Sequence, residues 1–248
     1  MAQIRLHFLR ELNDFLAPAR RNKEIIHHLA RKASIKDVIE SFNVPHTEVD
    51  VILVNGVSVD FSYIVQADDR ISVYPPGEHF DVAPILKLSP QPLSQPKFIA
   101  DANLGRLARY IRLLGFDCLY RNDYSDATVA QIASEQQRIV LTRDRMLLQR
   151  KIITYGYFVR SDIPKVQIKE ILKKFNLYHL MQPMIRCTRC NGKLVKTDKQ
   201  KIAYRLEPLT KKHYDKFLIC SVCDQIYWHG SHCQRVKLLL DELVQIKA

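Results

Sequence analysis

The sequence lacks an apolar run long enough to cross a bilayer, which takes about 18 residues. Residues 1–7 do not open the apolar core of a signal peptide. Both absences argue against a membrane partner and against secretion, so we expect a cytoplasmic protein. A disulfide framework is disfavoured for the same reason, because thiols stay reduced in the cytosol.

Four of the six cysteines form two Cys-X-X-Cys pairs near the C-terminus: Cys187, Cys190, Cys220 and Cys223. A tight turn can aim both thiols of a pair at one ion, and two pairs supply the four soft ligands of a tetrahedral zinc site. Two disulfides or a redox motif are the alternatives, but nothing indicates secretion and a redox motif would not occur twice. We predict a structural zinc site, with Gly192 at a positive φ after the first pair and with Cys118 and Cys233 as buried thiols.

The first part of the chain lacks an excess of positive charge, although the formal net charge is +12. Residues 1–96 hold 10 Lys and Arg against 12 Asp and Glu. Residues 97–183 hold 15 against 8, and residues 184–248 hold 13 against 6. A solubilising surface would more often be spread over the whole chain. The confined excess therefore favours a polyanionic partner.

A proline-rich stretch marks a boundary at the point where the charge changes sign. It contains Pro84, Pro90, Pro92 and Pro96, and this composition cannot form a helix or a central strand. We divide the chain into an N-terminal domain, a linker, a central domain and a cysteine-bearing domain, at residues 1–82, 83–96, 97–183 and 184–248.

The N-terminal domain has the pattern of a small mixed fold. Residues 3–8 alternate as a strand does, Ser34 is a suitable N-cap for a short helix, and residues 70–74 form a closing strand. Asn55-Gly56 between two β-branched runs is a strong hairpin signal. The order resembles a ubiquitin-like β-grasp module of the sulfur-carrier type, but the Gly-Gly tail of a sulfur carrier is missing. Docking of a protein partner is the better expectation.

In the central domain, four apolar runs are each followed by an aspartate: Asp101, Asp123, Asp144 and Asp162. Helical patterns separate the runs, which predicts an α/β fold with a mostly parallel sheet. Such sheets bind ligands outside the carboxyl ends of their strands, and carboxylates gathered there repel one another unless a divalent cation neutralises them. A single strand-end aspartate is more often a turn former or a helix cap. The spacing alone leaves the two interpretations open.

Arginines accompany these aspartates. Arg106, Arg109 and Arg112 recur every three residues on a predicted helix, and Arg143 and Arg145 flank the third aspartate. Phosphate contact is the functional interpretation, and a solvated helix face is the alternative. We favour phosphate contact for Arg143 and Arg145, whereas the pattern does not decide for the helix.

Longer motifs in this region resemble the Mut-seven C-terminal RNase family. They follow one another over residues 97–235 and read DANLGRLARY (101–110), LLGFD (113–117), LTRD (141–144), RCTRCN (186–191) and YWHGSH (227–232). The resemblance implies a ubiquitin-like domain, a central PIN-like (Rossmann-like) parallel-sheet domain and a C-terminal zinc ribbon. It also implies metal-dependent cleavage of RNA.

The resemblance further implies that acidic residues hold Mg²⁺ or Mn²⁺, and it assigns four positions to this role: Asp101, Asp126, Asp144 and Asp162. Asp126 opens the helix after Ser125 and fits the pattern better than Asp123, which is a spare or supporting residue. Contacts with RNA are expected from Arg106, Arg109, Arg143 and Arg145. A non-catalytic RNA- or ribosome-binding adaptor with an idle acidic site is the alternative function.

The motif after the second cysteine pair admits two interpretations. In the first, His229 and His232 form a second metal-binding pair. In the second, they pack on the ribbon or contact RNA. The second is favoured because four cysteines already complete the zinc site. Tyr227 and Trp228 either stack on a base or belong to the small core of the ribbon.

Overall fold

The computed structural model of the chain describes residues 2–77 and 85–228. Within these ranges, no helix is long and apolar enough to cross a membrane. The described residues form two compact units: one runs to Gln95 and includes Ser125–Phe158, and the other holds Pro96–Tyr124 and continues from Val159. His229, His232 and Cys233 lie outside the described residues.

The N-terminal domain is a five-stranded sheet with one helix. Its elements are β1 (Ala2–Phe8), β2 (Ile25–Leu29), α1 (Ile35–Ser41), β3 (Val51–Val54), β4 (Val57–Val59) and β5 (Arg70–Tyr74). The strand order is β2-β1-β5-β3-β4, with β1 parallel to β5 and the other pairings antiparallel. The predicted β-grasp arrangement is confirmed.

Local signals account for the helix start and the hairpin of this domain. The Ser34 hydroxyl accepts a hydrogen bond from the Asp37 N–H at 3.2 Å, as an N-cap does. Asn55 and Gly56 have φ values of 52° and 85°, which a tight type I′ hairpin turn requires. Strand β2 is the element that sequence analysis missed. Its sequence, IIHHL, does not alternate apolar and polar residues, although in the structure Ile25 is 8% exposed and Ile26 is 58% exposed.

The described part of the proline-rich stretch, residues 85–96, contains no helix and no strand, as its composition predicts. It lies along the β-grasp domain. The Leu88 N–H donates to the Asp50 carbonyl at 2.6 Å, and the Ser89 N–H donates to the Asp50 carboxylate at 3.1 Å. Because Asp50 is only 4% exposed, these bonds satisfy oxygens that water does not reach.

The central segment alternates short strands and helices. Its elements are β6 (Lys97–Ala100), α2 (Gly105–Leu113), β7 (Asp117–Leu119), α3 (Asp126–Glu135), β8 (Ile139–Thr142), α4 (Arg145–Leu148), β9 (Gly156–Phe158) and α5 (Pro164–Lys174). Strand β6 pairs in parallel with β7, and β8 pairs in parallel with β9. All four residues of β8 are buried, as expected of a strand covered on both faces. The predicted α/β class is confirmed.

Helix α2 buries one face and ends at a glycine. Leu107 and Ile111 are fully buried on that face. Gly115 has a φ of 97°, and a Cβ at this position would collide with the Gln182 carbonyl, so only glycine fits. At the start of α3, the Ser125 hydroxyl accepts from the Thr128 N–H at 3.2 Å, as predicted.

The C-terminal domain is a three-stranded antiparallel ribbon. Its elements are β10 (Leu194–Thr197), α6 (Lys199–Ile202), α7 (Pro208–His213), β11 (Phe217–Cys220) and β12 (Ile226–Trp228), with β11 in the centre. The apolar run at Ile202 belongs to helix α6 and the 3-10 turn after it. Ile202 buries there against Phe217 and Ile226, so its apolar character reflects the ribbon core.

Candidate active site and cysteine metal centre

The two Cys-X-X-Cys pairs meet at one point of the ribbon. The Sγ atoms of all four cysteines lie within 4.8 Å of one another. Across the pairs, Cys187 Sγ lies 3.6 Å from Cys223 Sγ, and Cys190 Sγ lies 3.3 Å from Cys220 Sγ. All four are free thiols. Four convergent sulfur donors can hold one metal ion, and a tetrahedral thiolate set is the set that zinc prefers.

The backbone around each pair donates hydrogen bonds to the cysteine sulfurs. The Gly192 N–H donates to Cys190 Sγ at 3.4 Å, and the Val222 N–H donates to Cys220 Sγ at 3.4 Å. Hydrogen bonds from backbone N–H groups stabilise the thiolate form that metal binding requires.

After the first pair, the residue with a positive φ is Asn191, at 73°. Gly192 does not have a positive φ, so the prediction for this glycine was wrong. Glycine is needed there for space instead. A Cβ on Gly192 would lie 2.8 Å from Cys220 Sγ, which is closer than real Cβ atoms approach. The glycine therefore allows the two pairs to come together.

The thiols differ in how readily they ionise. Burial raises the pKa of the Cys187 thiol, but hydrogen bonds, chiefly from the Tyr227 hydroxyl at 3.1 Å, outweigh burial and lower its pKa to about 7. Burial raises the pKa of Cys190 to about 12, and the neighbouring thiols add to the rise. Four thiolates at this separation would repel one another, so the donor set fits a dication that neutralises them.

The first cysteine pair is joined to the central segment by two buried side chains. Arg112, at 3% exposed, donates to the carbonyls of Cys118, Thr188 and Arg189 at 2.8, 3.2 and 2.9 Å. Asn191 accepts from the Cys118 N–H at 3.0 Å and donates to the carboxylate of Asp117 at 2.9 Å. Arg112 thus belongs to the contact between helix α2 and the cysteine loop, and not to the exposed basic ridge that the sequence spacing suggested.

Of the four aspartates predicted to be catalytic, three lie in the segments that follow strands and one begins a helix. Asp101 follows β6, is 8% exposed, and accepts from the Ala102 N–H at 2.5 Å. Asp144 follows β8 and caps α4 by accepting from the Met146 N–H at 2.8 Å. Asp126 is the first residue of α3, and Asp162 lies exposed between β9 and α5. Asp101 and Asp162 belong to the second unit, whereas Asp126 and Asp144 belong to the first.

Asp123, the spare aspartate, is engaged elsewhere. Its carboxylate forms a bidentate pair with the Arg121 guanidinium, at 2.6 and 2.9 Å. These hydrogen bonds from Arg121 are the main reason that the pKa of the exposed Asp123 carboxyl lies below its ordinary value.

Within the second unit, a cleft of about 440 Å³ combines acidic and basic side chains. Its lining includes Arg106 and Arg109 from α2, together with Asp162. Both arginines are exposed, so their guanidinium groups are open to a ligand. The structure therefore places two of the predicted RNA-binding arginines beside one of the predicted catalytic aspartates.

The walls of this cleft are held in place by hydrogen bonds. Gln167, at 3% exposed, donates to the Ser161 carbonyl at 2.8 Å, and the Glu170 carboxylate accepts from the Arg160 N–H at 2.9 Å. Both bonds fix the loop that carries Asp162. On the opposite wall, a Cβ on Gly105 would lie 2.6 Å from the Tyr120 hydroxyl, so this glycine makes room for the tyrosine.

The two arginines around Asp144 differ in environment. Arg143 is exposed. Arg145 is half-buried and turned toward the β-grasp domain, where its Nη1 donates to the Phe15 carbonyl at 3.0 Å. Its guanidinium also lies over the rings of Phe15 and Phe158, at 5.5 and 5.6 Å from their centroids. The Arg145 guanidinium is therefore bound by other residues of the protein.

The aromatic residues after the second pair support the ribbon. The Tyr227 hydroxyl lies 3.1 Å from Cys187 Sγ and accepts from the Thr188 N–H at 3.1 Å. Trp228 packs against Tyr214 and Phe217, with centroid separations of 6.4 Å in both cases. The structure favours the ribbon-core interpretation for both. Sequence analysis did not predict the hydrogen bonds that Arg112, Asn191 and Tyr227 form at the cysteine loop. Asn191 and Tyr227 lie inside the RCTRCN and YWHGSH motifs, and Arg112 lies just before the LLGFD motif, so only these motifs could have indicated them.

Comparison with known families agrees with this arrangement. A family model described as "Mut7-C RNAse domain" matches residues 96–240, and one described as "Mut7-C ubiquitin" matches residues 1–81. No curated protein and no solved structure matches the chain. The ribonuclease model covers more than half of the chain and indicates a nuclease-type function. The chain therefore belongs to the Mut7-C RNAse domain family, and its first 81 residues form a Mut7-C ubiquitin-like domain.

Proposed function

We propose that the protein is a ribonuclease that cleaves RNA phosphodiester bonds with a divalent metal, Mg²⁺ or Mn²⁺. The match of residues 96–240 to a ribonuclease family is the observation that carries this proposal. The placement of aspartates after successive parallel strands supports it, because open α/β sheets bind ligands beyond those strand ends.

The aspartates proposed to hold the metal are Asp101, Asp126, Asp144 and Asp162. A bound dication would polarise a phosphoryl oxygen and supply a water nucleophile of lowered pKa. The carboxylates would be oxygen donors, which suit Mg²⁺ and Mn²⁺. The Asp144 carboxylate is oriented by its bond from the Met146 N–H, which restricts its rotation.

Arginines would hold the RNA at the site through its phosphates. Arg106 and Arg109 line the cleft that also contains Asp162, and each can neutralise a phosphate without reading the base. Arg143 is the third candidate, since it is exposed beside Asp144. Arg145 is left out of the phosphate contacts in this proposal, because its guanidinium already has internal partners.

We propose that the four cysteines hold a structural zinc ion and that the protein acts in the cytoplasm, where their thiols stay reduced. The β-grasp domain is also proposed to dock a protein partner, through surface that the RNase segment (residues 97–183) does not cover.

One assay tests the catalytic proposal. Purified full-length protein is incubated with labelled single-stranded RNA, with Mn²⁺ or with EDTA, beside Asp144→Asn. We expect Mn²⁺-dependent cleavage that Asp144→Asn abolishes while RNA binding stays equal or becomes tighter, because a repulsive charge is removed. Asp68→Asn is the matched control. It removes an exposed carboxylate at a φ of 65° in the β-grasp domain, where asparagine is equally well tolerated.

The same preparation tests the RNA contacts. Arg106→Gln should weaken RNA binding and reduce the slope of log affinity against log salt by about 1, the value for one lost phosphate contact. If EDTA leaves the cleavage unchanged, or if Asp144→Asn cleaves normally, the metal-nuclease mechanism is wrong. Salt-dependent RNA binding without any cleavage would instead support the RNA- or ribosome-binding adaptor.

A further inference from the structure

The turn that carries Asp144 is attached to the β-grasp domain. Asp144 caps helix α4, which is only four residues long and begins at Arg145. The Asp144 N–H also donates to the Thr142 hydroxyl at 2.9 Å, so the turn is tight. A short helix has little stability of its own, and its position depends on what its residues contact.

Arg145 supplies that contact. Its guanidinium donates to the Phe15 carbonyl at 3.0 Å and lies over two rings, those of Phe15 and Phe158. These rings meet edge to face, with centroids 5.2 Å apart and planes inclined by 65°. Phe15 is 2% exposed, so its ring and carbonyl are fixed by the β-grasp core. The hydrogen bond therefore fixes the direction of the guanidinium, and the two rings fix its distance from them.

Further hydrogen bonds join the same two parts of the first unit. The Phe158 N–H donates to the carboxylate of Glu48, a residue only 2% exposed, at 2.7 Å. The Gln149 side chain donates to the Glu40 carbonyl at 3.2 Å. The His46 ring lies between the Ile153 carbonyl, at 3.0 Å from Nε2, and the Glu40 carboxylate, at 2.7 Å from Nδ1. The contact around Arg145 is thus one part of an extended junction between the β-grasp domain and the RNase segment.

We infer that the β-grasp domain positions the nuclease site through this junction. Arg145 and Phe15 are positioning residues: they hold the Asp144 turn in the orientation that catalysis needs and do not contact RNA. The inference rests on the proposed function for its catalytic consequence, although the restraint on the turn is independent of activity.

The test uses the full-length chain with Phe15→Leu, Arg145→Met and the double variant. Each single variant should lower kcat by about 10- to 100-fold, since a small misplacement of a catalytic group costs that much. The Kd for RNA and its salt dependence should not change. The double variant should be no worse than either single variant, because both remove the same restraint.

Arg20→Met is the matched control. The Arg20 guanidinium lies over the Phe42 ring at 5.5 Å, so the control removes a similar cation–π contact within the β-grasp domain but away from the RNase segment. It should leave kcat unchanged. Arg145→Lys, which keeps the charge but loses the planar fork, should behave as Arg145→Met does.

Amide hydrogen exchange separates the junction from the chemistry. The amides of residues 142–149 should exchange faster in Phe15→Leu and Arg145→Met and at the wild-type rate in Arg20→Met. If the wild type fails to cleave RNA, the proposed function fails, and the exchange rates still decide whether the β-grasp domain restrains the turn. Unchanged exchange overturns the inference. So does a weakened RNA affinity in Arg145→Met with unchanged kcat, since that identifies Arg145 as an RNA contact.

Discussion

Arg112 shows how much one buried cation can organise. It is a charged residue at 3% exposure, which is rare unless every donor has an acceptor. Its acceptors are three backbone carbonyls, one in strand β7 and two inside the first cysteine loop. A lysine could not reach all three, because only the planar guanidinium presents several donors in a fixed fork.

We therefore predict that Arg112→Met lowers the free energy of unfolding by about 2–4 kcal/mol, as expected when buried carbonyls lose a charged donor. Urea denaturation followed by circular dichroism measures the change. Arg109→Met, on the exposed side of the same helix, should alter stability by less than about 0.5 kcal/mol. Equal effects of the two variants would show that Arg112 does not stabilise the cysteine loop.

At the scale of elements, we expect the ribbon to depend on a metal ion held by its four cysteines. Among the residues that the structure describes, its apolar core contains three buried side chains, Ile202, Phe217 and Ile226. So small a core rarely stabilises a domain alone, and a metal can supply the missing free energy. The hydrogen bonds from Arg112 and Asn191 would then transmit the order of the cysteine loop to strand β7 and helix α2.

We expect one zinc ion per chain to copurify with the protein, as measured by elemental analysis. Cys187→Ser combined with Cys220→Ser should lose the metal and unfold the ribbon. Tyr227→Phe should weaken zinc affinity by about 10-fold in chelator competition, because it removes a hydrogen bond to a ligand sulfur.

Two control variants accompany this experiment. Cys118→Ala removes a buried thiol outside the pairs, and Tyr204→Phe removes an 85% exposed hydroxyl of the same domain. Both should retain wild-type zinc content. Absence of zinc from the wild type, or titration that finds two disulfides, would contradict the zinc site.

At the scale of the whole molecule, the compact units cut across the order of the chain. The first unit combines the β-grasp domain with Ser125–Phe158 of the RNase segment. Sequence composition instead suggests separate domains on either side of the proline-rich stretch. The difference arises because composition reports local flexibility, whereas Phe15, Glu40 and Glu48 contact residues more than 100 positions later.

We predict that residues 1–96 and 97–248, coexpressed as two chains, copurify as one complex. Residues 97–248 alone should aggregate, because Phe158 and Arg145 would lose their β-grasp contacts. Gel filtration and affinity copurification measure both outcomes. Phe15→Asp should prevent copurification, and Ile26→Asp, at a position 58% exposed on β2, should not. Independent elution of the two fragments would contradict the junction.

Several features of this protein were determined by local sequence and could be predicted. The hairpin at Asn55-Gly56, the N-caps at Ser34 and Ser125, and the glycine after α2 each follow from the conformational preferences of one or two residues. The paired cysteines predict a metal-binding cluster, and the structure brings their four sulfurs together.

Only the tertiary structure decided the roles of Arg112 and Arg145. From their spacing, both arginines were interpreted as part of a basic surface. In the structure, both donate to main-chain carbonyls that are distant in sequence. Arg189 is 77 residues from Arg112, and Phe15 is 130 residues from Arg145. Every residue carries a carbonyl, so no side-chain pattern marks which ones a distant guanidinium will meet. The sequence by itself determined which elements form and which residues could do chemistry. The packing of those elements decided which charged groups stay exposed and which hold the protein together.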